Sequence, residues 1–161
     1  MTSYDAHAAA EATRLREAGD RDALLALAAR HPQDPAVAYQ TAWLHDRLGL
    51  ESEAVPFYET ALAVGGLDDE DRLGAHTGLA STYRVLGRYD DALAAFDRAL
   101  TEYPGDPALT AFRAIALHNL GRSGDAVADL LKLLTATSSA PAVARYRRAL
   151  DHYADHLDET V

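Results

Sequence analysis

Three glycines constrain this chain more than any other feature. Gly49, Gly87 and Gly121 lie 38 and 34 residues apart, and Pro107 and Pro141 are again 34 apart. Glycine closes a helix in a left-handed turn, and proline opens one because the first turn does not need its N–H. Apolar residues between these marks recur at helical spacing, and no stretch alternates as a strand would. A period in the thirties with two helices per unit is the signature of a helical solenoid. The expected fold is all-α, with about nine helices.

The helices are expected at about 4–17, 23–30, 35–48, 53–64, 69–86, 90–103, 107–120, 125–135 and 142–157. Asp20 or Asp22 can cap the second, and Ser52 the fourth, which then holds Pro56 in its first turn. The acidic run Asp68–Asp71 suits a helix start, through capping and through the helix dipole. The first glycine interval is longer than the second by four residues, about one helical turn. Those residues are expected in the 65–68 loop or at the start of the next helix.

Placing each glycine at the fifteenth position starts the units at Pro35, Leu73 and Pro107. The eighth position is then Ala42, Ala80 and Ala114, and the twentieth Ala54, Ala92 and Ala126. The twenty-fourth is Tyr58, Phe96 and Leu130; the twenty-seventh is Ala61, Ala99 and Leu133. Small residues recur where helix backbones must approach, and large ones where the gap between units must be filled.

These units resemble tetratricopeptide repeats. The middle unit carries the likeness best, at Ala80, Tyr83, Gly87, Tyr89, Ala92, Phe96, Ala99 and Pro104. The outer two depart from it: Ala38, His76 and Thr110 stand where the family has tryptophan, and Arg113 where leucine is usual. The resemblance implies a right-handed helical-hairpin solenoid over 1–161 as a single domain. Repeats would span 35–66, 73–106 and 107–140, with a degenerate helix pair at 4–31 and a capping helix at 141–157. Small bacterial members of the family are the nearest general likeness.

The formal net charge of −10 makes the chain a poor partner for nucleic acid or for an anionic membrane. No apolar run approaches the roughly 20 residues that span a bilayer. The first twenty residues lack a basic segment followed by an apolar one, so no secretory signal is expected. Cysteine is absent, which removes disulfides and thiol chemistry and fits a reducing compartment. The expected location is cytoplasmic.

The resemblance places a ligand groove on the first helices of the units. The positions that would face it include Tyr39, Trp43, Asp46 and Arg47, then Thr77, Ser81 and Arg84, then Phe112, Ile115, His118 and Asn119. Arg145, Tyr146 and His152 would extend it from the last helix. The groove would be aromatic at one end and carry Arg47, Arg84 and Arg145 along an otherwise acidic protein. Arginine binds carboxylates in bidentate fashion, so an acidic peptide or a free C-terminus would suit it. The carboxylate clamp of chaperone-binding members is missing, because Ala36, Gln40, Gly78, Ala108 and Phe112 occupy its places. Trp43 and Tyr39, one turn apart, would face either this groove or the N-terminal helix pair.

His45 falls at a core position and is expected buried and hydrogen-bonded. His152 and His156 have the i,i+4 spacing of two metal ligands, but with no third ligand nearby in sequence no metal and no cofactor is expected. No phosphate loop, nucleophile elbow or H-E-x-x-H helix is present, and no enzyme activity is expected. The function that the resemblance implies is that of an adaptor that binds a peptide segment of another protein. The alternative is a module that self-associates through a terminal helix. Exposed apolar residues on the outer face of 142–157 would favour the alternative, and the oligomeric state stays open.

Overall fold

The structure is a computed structural model and describes residues 5–159. Among the described residues there are nine α-helices and no strand. They are α1 (Ala6–Ala18), α2 (Arg21–Arg30), α3 (Pro35–Arg47), α4 (Glu51–Val64), α5 (Asp69–Val85), α6 (Tyr89–Glu102), α7 (Pro107–Asn119), α8 (Ser123–Thr137) and α9 (Pro141–Asp155). The expected start at Tyr4 lies outside the described residues. None of these helices is long and apolar enough to cross a membrane.

Five of the helix starts follow from acid caps. Asp5, Asp20, Asp34, Asp68 and Asp106 each accept a backbone N–H of the first turn of α1, α2, α3, α5 and α7. Asp20, not Asp22, caps α2. The expectation for α4 fails: Ser52 lies inside the first turn, and Leu50 stands at the cap with no side-chain bond. Pro56 is therefore the sixth residue of α4 rather than part of its first turn. It is tolerated because the carbonyl it leaves unpaired, four residues back at exposed Ser52, can be solvated.

The three turn glycines share one geometry. Gly49, Gly87 and Gly121 have φ of 71°, 74° and 76°. The next residue donates back across the turn each time: Leu50 N to His45 O, Arg88 N to Tyr83 O and Arg122 N to Leu117 O, all at 2.9 Å. This is the Schellman closure, which satisfies a carbonyl at the helix end and needs a left-handed residue. The four extra residues lengthen a helix, not a loop. α5 has 17 residues where α3 and α7 have 13.

The chain divides into two compact units, Met1–Arg88 and Tyr89–Val161. In the first, α1 and α2 pack on α3, and α5 packs on α3 and α4. Its centre is an aliphatic cluster of Ala8, Ala12, Leu24, Leu27, Val37 and Leu44. In the second, α6, α7, α8 and α9 pack in succession, with Ala114, Leu117 and Ala126 forming a smaller cluster under Leu93.

The register residues behave as small and large residues should, except Leu130 and Leu133 in the third repeat, the second of which is half-buried. Ala42, Ala80, Ala54, Ala92, Ala61 and Ala99 are all fully buried, and so are Tyr58 and Phe96. Leu130, their counterpart in the third repeat, is 44% exposed. Tyr58 fits against α5 because α5 has Gly78 there; a Cβ at Gly78 would overlap the Tyr58 ring. Phe96 meets Phe112, ring centroids 6.5 Å apart and planes 4° from parallel. At the matching place α9 carries Tyr146, itself 59% exposed, so neither side chain of that third pair is closed in.

Candidate interaction surface

In the first unit, α1, α3 and α5 stand side by side. Tyr39 and Trp43 stack with centroids 5.8 Å apart, but they are not presented equally. Tyr39 is 6% exposed and Trp43 38%. Tyr39 is held against α5 at Gly74, where a Cβ would overlap its hydroxyl. Burial pushes the Tyr39 phenol up to about 12, and the charge of Asp71 adds to the shift. Tyr39 is thus packed behind Trp43, with α5 closing over it.

The second alternative for this aromatic pair, packing against the N-terminal helices, is half realised. The Arg16 guanidinium of α1 lies 3.9 Å from the centroid of the Trp43 ring, and its Nε donates to Gln40 Oε1. The Arg16 side chain is only 12% exposed. A cation held over an indole is stabilised by the ring quadrupole, more so when partly desolvated. Nothing in the sequence pointed to Arg16, since the N-terminal pair does not share the register of the repeats.

Asp46 is half-buried on α3. It joins three helices: Tyr58 Oη donates to its Oδ2 at 2.7 Å, and Thr82 Oγ1 to its Oδ1 at 2.9 Å. Burial raises its carboxyl above the ordinary value despite those hydrogen bonds. Beside it, His45 is buried as expected. Its Nδ1 lies 2.7 Å from Thr41 O, and Arg21 Nε donates to its Nε2 at 3.3 Å. A carbonyl only accepts, so Nδ1 carries the proton and the ring is neutral.

The remaining first-unit candidates lie on the same two helices. Arg47 is exposed, and Thr77 and Ser81 are half-buried on α5. The Thr77 hydroxyl donates to its own helix, to Leu73 O at 2.8 Å. Arg84 is half-buried, and its Nε is shielded from solvent with no hydrogen-bond partner.

In the second unit, Phe112, Ile115 and Asn119 share one exposed face of α7. The His118 ring bonds with Ser123 Oγ at 3.0 Å, tethering the end of α7 to the start of α8. Arg145 and His152 are exposed on α9. Arg113, at the leucine position, lies between two acids: it bonds to Asp97 of α6 at 2.6 Å and to Asp129 of α8.

Among the described residues, one potential ligand atom each of His152, His156 and Glu159 lie within 4.8 Å of one another, and Glu159 is a carboxylate that sequence reading did not find. After α9 ends, a turn brings Glu159 to the two imidazoles. Its signal was in the sequence, as a carboxylate three residues past His156.

The model of the tetratrico peptide repeat family matches residues 35–157. No curated protein matches the chain. A solved structure of a MamA mutant is similar at a TM-score of 0.66, covering 81% of this chain and 79% of that one at 20% identity. That likeness shows an all-α helical solenoid. The family match spans roughly three quarters of the sequence, and the chain belongs to the tetratrico peptide repeat family, a family of protein–protein interaction modules.

Proposed function

We propose that this chain is a non-enzymatic adaptor that takes up a peptide segment of a partner protein on the α1–α3–α5 face of its first unit. The segment carries carboxylates or a free C-terminus. Arg84 carries this reading: its Nε is out of solvent and unpaired. A shielded donor without an acceptor costs roughly 1–3 kcal/mol, more when charged, and an incoming carboxylate would recover that cost. Trp43, backed by Tyr39 and capped by Arg16, supplies an aromatic anchor on α3 of the same unit, and Arg47, Thr77 and Ser81 supply polar contacts. The bacterial, cytoplasmic setting expected from the sequence belongs to the same reading.

Trp43 is the only tryptophan in the chain, so its fluorescence reports this face alone. Peptides ending in a free carboxylate should shift that fluorescence saturably, and amidated copies should bind at least about tenfold more weakly. Arg84→Glu should remove the discrimination. Equal affinity for the two peptide forms, or no fluorescence change with any acidic peptide, would sink the reading.

One observation favours a second reading, self-association through α9. Tyr146 and Tyr153 are 59% and 56% exposed. With exposed Ala142 and Ala149 they form a stripe at i, i+4, i+7 and i+11. Light scattering across a concentration series tests it: a dimer that Tyr146→Glu dissociates would support this reading, and a monomer at all concentrations would end it.

A further inference from the structure

We propose that His152, His156 and Glu159 form a binding site for a divalent transition metal, with Zn²⁺ the best-suited ion. One ligand atom from each residue falls within 4.8 Å of the others. The two imidazoles are held together, centroids 4.4 Å apart and planes 26° from parallel. Each offers Nε2 to a different oxygen of one carboxylate: His152 to Oε2 and His156 to Oε1, both at 3.9 Å.

The backbone builds this arrangement. His152 and His156 are one turn apart, so both rings project from the same face. α9 stops at Asp155, and the following turn is closed by Glu159 N donating to His156 O at 3.2 Å. That turn carries Glu159 back to the rings. His156 is also set in a ligating state: its Nδ1 lies 2.8 Å from the His152 carbonyl oxygen. A carbonyl oxygen only accepts, so Nδ1 holds the proton and, in the neutral ring, the Nε2 lone pair is left facing Glu159. A second partner fixing the tautomer in this way is the usual companion of a metal-binding histidine.

The donor set decides the ion. Two imidazole nitrogens and one carboxylate suit zinc, copper or nickel, whereas magnesium and calcium require oxygen ligands. Bonds of about 2.0–2.2 Å at tetrahedral angles place donors roughly 3.3–3.5 Å apart. The three side chains are exposed, and small rotations bring their atoms to that spacing. The three protein ligands leave a coordination position for water or for a group from outside the chain. Asp155 is not part of the set, since it is paired with Lys132 at 2.6 Å. Bound metal would fasten the 156–159 turn to the last helix.

The test is calorimetric titration of the full chain, free of any affinity tag and stripped of metal, with zinc chloride. One ion should bind saturably. His152→Ala and Glu159→Gln should each weaken it by at least about tenfold, while His7→Ala, at another exposed histidine, should leave it unchanged. Long-range imidazole NMR spectra should show zinc shifting the His152 and His156 rings and leaving that of His7 in place. Non-saturating heats, full affinity in His152→Ala, or equal binding of magnesium would overturn the proposal.

Discussion

The two units hold equivalent helices together by opposite means. In the first, the large residue at the twenty-fourth repeat position is Tyr58, slotted against a glycine and tied by its hydroxyl to Asp46, which also receives Thr82. The polar atoms are desolvated and paired with one another. In the second, the helices are joined by charges nearer to water: Arg113 between Asp97 and Asp129, Lys132 with Asp155, and Thr135 donating to Asp151. Large apolar side chains there, Ile115, Val127, Leu130 and Leu134, stay 41–45% exposed. A paired buried network confers a unique packing and suffers heavily from loss of one member, while exposed ion pairs contribute little each and weaken with salt. The first unit is therefore the better scaffold for a fixed site, and the second is the one with more apolar side chains left exposed.

The largest effect that would sharpen this contrast comes from truncating the same repeat position in each repeat. Tyr58→Ala and Phe96→Ala should each cost about 3–5 kcal/mol, the range for buried aromatic residues. Leu130→Ala should cost less than about 1 kcal/mol because its side chain is already half in water. Urea unfolding measures the cost, and hydrogen exchange by mass spectrometry shows which unit opens. Similar losses at all three positions would mean that the third repeat is as well filled as the others.

Glycine substitutions give the next largest difference, and here the sign should change. Gly78→Ala drives a methyl into the Tyr58 ring, a clash costing roughly 1–3 kcal/mol. Gly124 in α8 has nothing within 4 Å of where its Cβ would sit. Gly124→Ala should therefore stabilise, by about 0.4–1 kcal/mol, through the gain in helix propensity and the loss of unfolded-state freedom. Stabilisation by both would show that Tyr58 has room to move.

Salt separates the units further. Arg113→Leu restores the apolar residue usual for that position and removes both ion pairs. The wild-type second unit should lose about 0.5–1 kcal/mol between low and 1 M sodium chloride, and the variant should lose much less. Exchange rates in the first unit should be the control, since its network is desolvated.

How far the sequence disclosed all this depends on the kind of contact. The alanines at the eighth and twentieth positions were readable because a small residue recurring at one register has a single explanation, close backbone approach. Asp46 and Arg113 were not readable. Each sits at a position defined by one helix, but its role is set by partners 12, 16 or 36 residues away on other helices. Gly74 and Gly78 held a clue, since glycine costs stability inside a helix unless something needs the space. The space is taken by Tyr39 and Tyr58. At the candidate surface, the stacking of Trp43 on Tyr39 was legible from their one-turn spacing, and Arg16 was not, for want of a register linking α1 to the repeats.

The smallest expected effect concerns pH and bears most directly on the first unit's network. Burial raises the Asp46 carboxyl above its ordinary value of 3.8. Between 3.8 and that raised value, the folded state binds more protons than the unfolded chain. Stability contributed by this group therefore falls as pH rises through the window, and is recovered as pH drops. Asp46→Asn keeps an acceptor for Tyr58 and an amide that Thr82 can accept from while donating to Gly78 O. It should change stability at pH 7 by less than about 1 kcal/mol and should flatten the Asp46 part of the slope. Asp46→Ala leaves the Tyr58 hydroxyl without a partner and should cost roughly 1–3 kcal/mol at any pH. If the asparagine and alanine variants behaved alike, the hydrogen bonds to Asp46 would count for little, and the first unit would rest on its alanines and aromatic rings alone.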